Sequence, residues 1–131
     1  MGANEDLVRE GYAAFSAGDM DKLGSLYTDD FVHSVPGNNQ LTGEYKGIPA
    51  AMAYYGKLFE LTNGTMSVDL KSVTEQGDNK VVAVHHNNAE RDGKKLDDDT
   101  TLNFTIKDAK VSRIDEAPGN QAAEDAFWGK A

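Results

Sequence analysis

A change of hydrophobic period near residue 65 constrains this chain more than any other feature. Before it, apolar residues recur at helical spacing. In residues 5 to 17, Leu7, Val8, Gly11, Tyr12, Ala14 and Phe15 fall on one side, with Glu5, Asp6, Arg9 and Glu10 mostly on the other. That is an amphipathic helix with acids in its first turn. Asn4 is the expected cap, and Gly18 the left-handed residue that ends the helix. Asp19 then caps a short second helix carrying Leu23, Leu26 and Tyr27, up to a polar break at Thr28-Asp29-Asp30. Gly47-Ile48-Pro49 opens a third, with Met52, Tyr55, Leu58, Phe59 and Leu61, stopped by Asn63-Gly64.

After residue 65 the pattern alternates. Met66, Val68 and Leu70 share a face, Gly77-Asp78-Asn79 turns into a strand over 80–91, and Asp92-Gly93 is a hairpin signal. On the return, Leu102, Phe104 and Ile106 point one way. Lys107 to Lys110 turns again, Val111 to Glu116 is the last long strand, and residues 120–129 form a terminal helix with Ala123, Phe127 and Trp128 as its apolar side. Helices first and an antiparallel meander afterwards make an α+β plan, with the helices laid on one face of a curved sheet. Phe31, Val32 and Val35 form a brief strand ended by Pro36-Gly37, and residues 38–46 read as a loop. Alternation puts Val32 and Ser34 on one face of that strand and His33 and Val35 on the other. The Ser34 face is expected to look into a pocket, and His33 to serve at a surface, an interface or in packing.

At 131 residues the whole chain, 1–131, is expected to be one domain burying a single core. The net charge of -9 argues against a nucleic-acid or anionic-membrane partner, because phosphates meet net repulsion. Without cysteine there is no disulfide or thiolate chemistry. No basic stretch followed by an apolar one marks the N-terminus, and no apolar run reaches eighteen residues, so a cytoplasmic protein is expected.

Gly18-Asp19 after an aromatic helix, Asp29-Asp30-Phe31-Val32, Pro36-Gly37, Gly43-Glu44-Tyr45-Lys46-Gly47, Ala89-Glu90-Arg91-Asp92-Gly93 and Ala126-Phe127-Trp128 occur in an order that resembles the SnoaL-like branch of the nuclear transport factor 2-like superfamily. The resemblance covers nearly the whole chain. It implies a conical α+β fold, with N-terminal helices closing the concave face of a curved, mainly antiparallel sheet over a pocket, a short C-terminal helix, and a homodimer. The superfamily includes ketosteroid isomerases, polyketide cyclases, limonene epoxide hydrolases, dehydratases and proteins of no known activity, so the fold does not settle function. Superposing the ketosteroid isomerase pattern puts its base on Ser34, its oxyanion-hole acid on Leu102 and its first-helix tyrosine on Gly11, beside Tyr12. All three residues differ here, which argues against that mechanism. The epoxide hydrolase pattern needs an Arg-x-Asp pair within a strand. Arg91-Asp92 has the wrong spacing and sits at a hairpin tip.

The same superposition places Ala83, His85, Asn87 and Ala89 on the cavity side, with Leu102, Phe104, Ile114 and Glu116. Alternation alone allows either parity. In the superposed register Ser34, His85, Asn87 and Glu116 converge on an apolar chamber with Tyr12 near its rim. His85 and Glu116 are then the candidate acid/base pair, with Tyr12, Ser34, Asn87, Leu102 and Phe104 holding a small, largely apolar carbonyl compound without any cofactor. Against this stand plainer readings, that His85 satisfies a neighbouring backbone group or faces a dimer partner, and that Glu116 emerges into water. A metal is not expected, because adjacent His85 and His86 point to opposite faces of a strand. Asp97-Asp98-Asp99 is expected to be a solvated run that guards a strand edge, and Tyr54-Tyr55 and Phe127-Trp128 to be core and lid. A non-catalytic carrier and a dimeric interaction module, paired through the sheet face that bears Val82 and Val84, are the alternatives. An enzyme calls for a closed pocket of about 300 Å³ or more.

Overall fold

The computed structural model describes residues 2–130. Helix α1 (Ala3–Ala17) ends at Gly18, whose φ of 71° releases the chain into α2 (Met20–Ser25). Asp19 caps α2 by accepting from the Lys22 amide at 3.1 Å, as its sequence position implies. The cap of α1 is Gly2 rather than Asn4, whose side chain instead donates to the Asp78 carbonyl. Then follow β1 (Tyr27–Val35), β2 (Gly43–Lys46), α3 (Ile48–Leu61), β3 (Ser67–Glu75), β4 (Lys80–Arg91), β5 (Lys94–Lys107), β6 (Lys110–Pro118) and α4 (Gln121–Trp128). Among the described residues no helix is long and apolar enough to cross a membrane.

The architecture is α+β. Six strands form a curved open sheet in the order β2-β1-β6-β5-β4-β3. The pairing of β1 with β6 is parallel and the other neighbours are antiparallel. The core lies between the helices and the face that carries Phe31, Val81, Ala83, Phe104 and Ile114. A register shift in β3 between Leu70 and Ser72 lets Val68, Leu70 and Val73 all turn toward the core despite their odd spacing.

Two expected boundaries move. Residues 43–46 are a strand, not loop: β2 pairs with β1 from Val32–Lys46 to Val35–Gly43. It is an edge strand with mostly exposed side chains, held by backbone bonds, so it leaves no apolar alternation to read. Tyr27 begins β1 rather than ending α2. Its ring stacks on Phe31 with centroids 3.9 Å apart, and this packing outweighs the local polarity of Thr28 to Asp30.

Phe31 fixes which face of β1 turns inward. It is 0% exposed, and alternation from it carries His33 and Val35 into the core while Val32 and Ser34 face away. Replacing Phe31 by Ala removes that anchor and leaves a cavity. The expected loss of unfolding free energy is about 3–5 kcal/mol, read from the denaturant midpoint at unchanged m-value.

Candidate functional site

The cone encloses a cavity of about 100 Å³, walled by helices α1 to α4 and the concave sheet. Most of its lining is apolar, including Leu7, Val8, Leu23, Leu58, Leu102 and Phe104. Its volume exceeds that needed for one water and falls below the roughly 150 Å³ that admits benzene into an engineered void. It is therefore smaller than the closed pocket of about 300 Å³ that the enzyme reading calls for.

Two hydrogen-bonded chains reach this cavity. The first runs across β4 and β5. Asn87 Nδ2 donates to Asp98 Oδ1 at 3.1 Å and to Thr100 Oγ1 at 2.8 Å, which leaves Asn87 Oδ1 to accept from His85 Nε2 at 3.0 Å. Nδ1 of His85 is then the bare nitrogen, and it accepts from the Tyr12 hydroxyl at 2.6 Å. The register explains the grouping, since His85 stands opposite Thr100 and Asn87 opposite Asp98. His85 is 7% exposed. Burial lowers its pKa, although Glu116, Asn87 and the nearby aspartates pull the other way. At neutral pH the ring is uncharged and can accept a proton. Burial first, and then the charge of Glu116, push the Tyr12 phenol well above its ordinary value, so it stays a donor.

The second chain joins β1, β6 and α3. His33 Nε2 donates to Glu116 Oε1 at 2.6 Å, and the Tyr54 hydroxyl donates to the same oxygen at 3.0 Å. On the far side of the ring, His33 Nδ1 meets the Tyr55 hydroxyl at 2.8 Å, which in turn meets the Tyr27 hydroxyl at 2.9 Å. Burial works to raise the Glu116 carboxyl. The hydrogen bond and charge of His33, followed by Tyr54, outweigh it and hold the group below the ordinary carboxylate value. Both bonds fall on Oε1. Among the described residues Oε2 takes none, and the side chain, 18% exposed, lines the cavity.

Of the residues singled out from sequence, His85, Glu116, Tyr12, Asn87, Leu102 and Phe104 line the cavity. Ser34 does not. It stands opposite Glu44 and Asp115 on the outward face of β1, and His33, 3% exposed, takes the inward place assigned to it. The signal was present in the parity of bulk, because Phe31 and Val35 flank His33 whereas Asp30 and Ser34 flank Val32. Tyr54 and Tyr55 are core residues whose hydroxyls also belong to the site. The Asp97–Asp99 run is neither on an edge nor uniformly solvated. β5 is an inner strand, Asp97 and Asp99 bracket His86 on the outer face, and Asp98 turns inward to Asn87.

A profile of the SnoaL-like domain matches residues 8–114. The chain belongs to the SnoaL-like family. An uncharacterized protein of Mycobacterium tuberculosis (strain ATCC 25618 / H37Rv) is 34% identical over 126 residues, 96% of each chain. Among solved structures, Bal32a from a soil-derived mobile gene cassette superposes with a TM-score of 0.94 at 35% identity, covering 97% of both chains. A putative SnoaL-like polyketide cyclase from Jannaschia sp. CCS1 superposes at 0.78 with 21% identity, covering 97% of this chain and 92% of the other. At that identity it shows the fold alone, the same cone found in NTF2-like proteins.

The bonds on Glu116 Oε1 make a direct prediction for this SnoaL-like site. Tyr54→Phe removes a donor that favours the carboxylate, so the Glu116 carboxyl should titrate at higher pH, followed by its carbon resonance. A folded value held below the unfolded one gives stability that is complete above the unfolded value and lost as pH falls through the folded value. The acid limb of the stability curve should therefore move to higher pH in this variant.

Proposed function

We propose that this SnoaL-like chain is a cofactor-independent enzyme of the isomerase or cyclase type, moving a proton next to the carbonyl of a small, largely apolar compound. One observation carries the reading: Glu116, with one oxygen that has no partner among the described residues, lines an apolar cavity that also holds the Tyr12–His85 pair. In this reading Oε2 takes the proton from the carbon beside the carbonyl, and the electron pair of that C–H bond moves through to the carbonyl oxygen. His33 and Tyr54 keep the carboxylate ionised and oriented. The Tyr12 hydroxyl turns from His85 Nδ1 to the developing enolate oxygen, where a donor in a water-poor site is worth most. The vacated Nδ1 is a second proton-accepting position, held in its tautomer by Asn87 and Thr100. Return of the proton to a different carbon gives an isomer. Attack by the enolate carbon on a second carbonyl gives a ring, the electron pair of that C=O bond moving to its oxygen, which takes the proton back from Glu116.

The cavity volume limits the substrate to few heavy atoms unless a wall yields. A second reading is a non-catalytic carrier, favoured by the engagement of both His85 nitrogens and Glu116 Oε1 with protein partners.

The test is deuterium incorporation from D₂O beside the carbonyl of small acyclic enones, followed by proton NMR. Glu116→Gln should slow exchange by roughly a hundredfold to ten-thousandfold while remaining folded, the range expected for a positioned base. Equal rates in both proteins, with thermal stabilisation by an enone recovered unchanged, would establish the carrier instead.

A further inference from the structure

The first polar chain does not end at Asp98. Its Oδ1 accepts from Asn87, whereas its Oδ2 is buried with no partner among the described residues. Across from it on α4, Glu124 is in the same condition: Oε1 accepts from the Trp128 indole at 2.9 Å, and Oε2 is buried with no partner. Each carboxyl thus has one oxygen engaged and one left over, and the two side chains lie within hydrogen-bonding reach of each other. Buried acceptors go unpartnered only rarely, and two charged carboxylates cannot share a site. A proton between the two oxygens satisfies both.

We propose that Asp98 and Glu124 share one proton and that this pair is a titratable clasp holding α4 across the end of the cavity. Glu124 and Trp128 line the cavity, so the clasp governs one of its walls whether or not the site is catalytic. Groups facing the pair come from the neighbouring elements: Asn87 and His85 from β4, Glu116 from β6, Tyr54 from α3 and Trp128 from α4 itself. Arg91 and Lys94, at the β4–β5 hairpin, bind the carbonyls of Phe127 and Ala126. The remaining ties of α4 run to the 38–40 loop, where Asp125 accepts from Asn38 and Asn39, and Gln40 donates to the Trp128 carbonyl. Loss of the shared proton therefore loosens α4 from β5 at Asp98 while leaving it tethered at that loop and at the Arg91 and Lys94 side chains.

Burial, and then Asp98, push the Glu124 carboxyl up to about 8. A folded value above the unfolded one gives stability that is complete below the unfolded value and drains away as pH rises through 8. Trp128 is the sole tryptophan and touches the pair, so its fluorescence reports the clasp without any substrate. The expected result is an emission change between pH 6.5 and 9.5, with its midpoint near 8, in the natural chain. It should be absent in both Glu124→Gln and Asp98→Asn, each of which supplies an amide donor where the proton sat. Melting temperature gives the second readout, as the advantage of Glu124→Gln over the natural chain should grow with pH across this window. A flat titration in the natural chain, or the same transition in either folded variant, overturns the proposal. Because no ligand is present, such a failure would leave the enone exchange result untouched.

Discussion

A carboxylate set into a wall of aromatic and aliphatic side chains has to be answered by donors, and the contact of His33 with Glu116 is that answer here. It joins the first strand to the last, and through Tyr55 and Tyr27 it extends into a buried row of hydroxyls beneath α3. With the imidazole and Tyr54 both spent on one oxygen, the other is left to the void. A neutral wall would have made this a packed core. An unanswered charge would have drawn water in or taken up a proton. The arrangement found keeps an ionised group in a largely dry place, a condition that is difficult to produce any other way.

The two polar chains also carry opposite characters into one chamber. The side through His33 accumulates acceptor capacity on Glu116. The side through Asn87 fixes a direction, because the Asn87 amide can donate to Asp98 and Thr100 only by offering its carbonyl to His85. Donor and acceptor roles along that line follow from the amide alone. The lowered pKa of His85 and the raised pKa of Tyr12 preserve the same polarity.

Period alone makes most of the architecture legible. The three N-terminal helices, the meander from β3 to β6 and the closing helix α4 follow from spacing, and the family resemblance supplies the conical arrangement and the inward parity of His85 and Asn87. What escapes has identifiable causes. β2 is a four-residue edge strand paired through its backbone, with Tyr45 its one side chain packed on the core, so it shows no alternation to read. In β1, apolar residues occupy both parities, so alternation by itself cannot choose between Ser34 and His33. The choice falls to bulk, since Tyr27, Phe31 and Val35 share the parity of His33 and the ring of Tyr27 stacks on Phe31 within the same strand. The meeting of Asp98 with Glu124 depends on where α4 docks, and a run of three acids gives no hint that its middle member turns inward.

The parallel pairing of β1 with β6 sets an order in time. Eighty-three residues separate His33 from Glu116, and closing so long a loop delays any contact that depends on it. The hairpins of β3 to β6 can zip locally and β1 can pair early with β2, but the other edge of β1 has no strand to align against until the far end of the chain exists. During synthesis the cone is thus completed from its last-made seam. A growing polypeptide that stops short of that seam displays Phe31 and its neighbours as a bare apolar ledge rather than a half-working chamber.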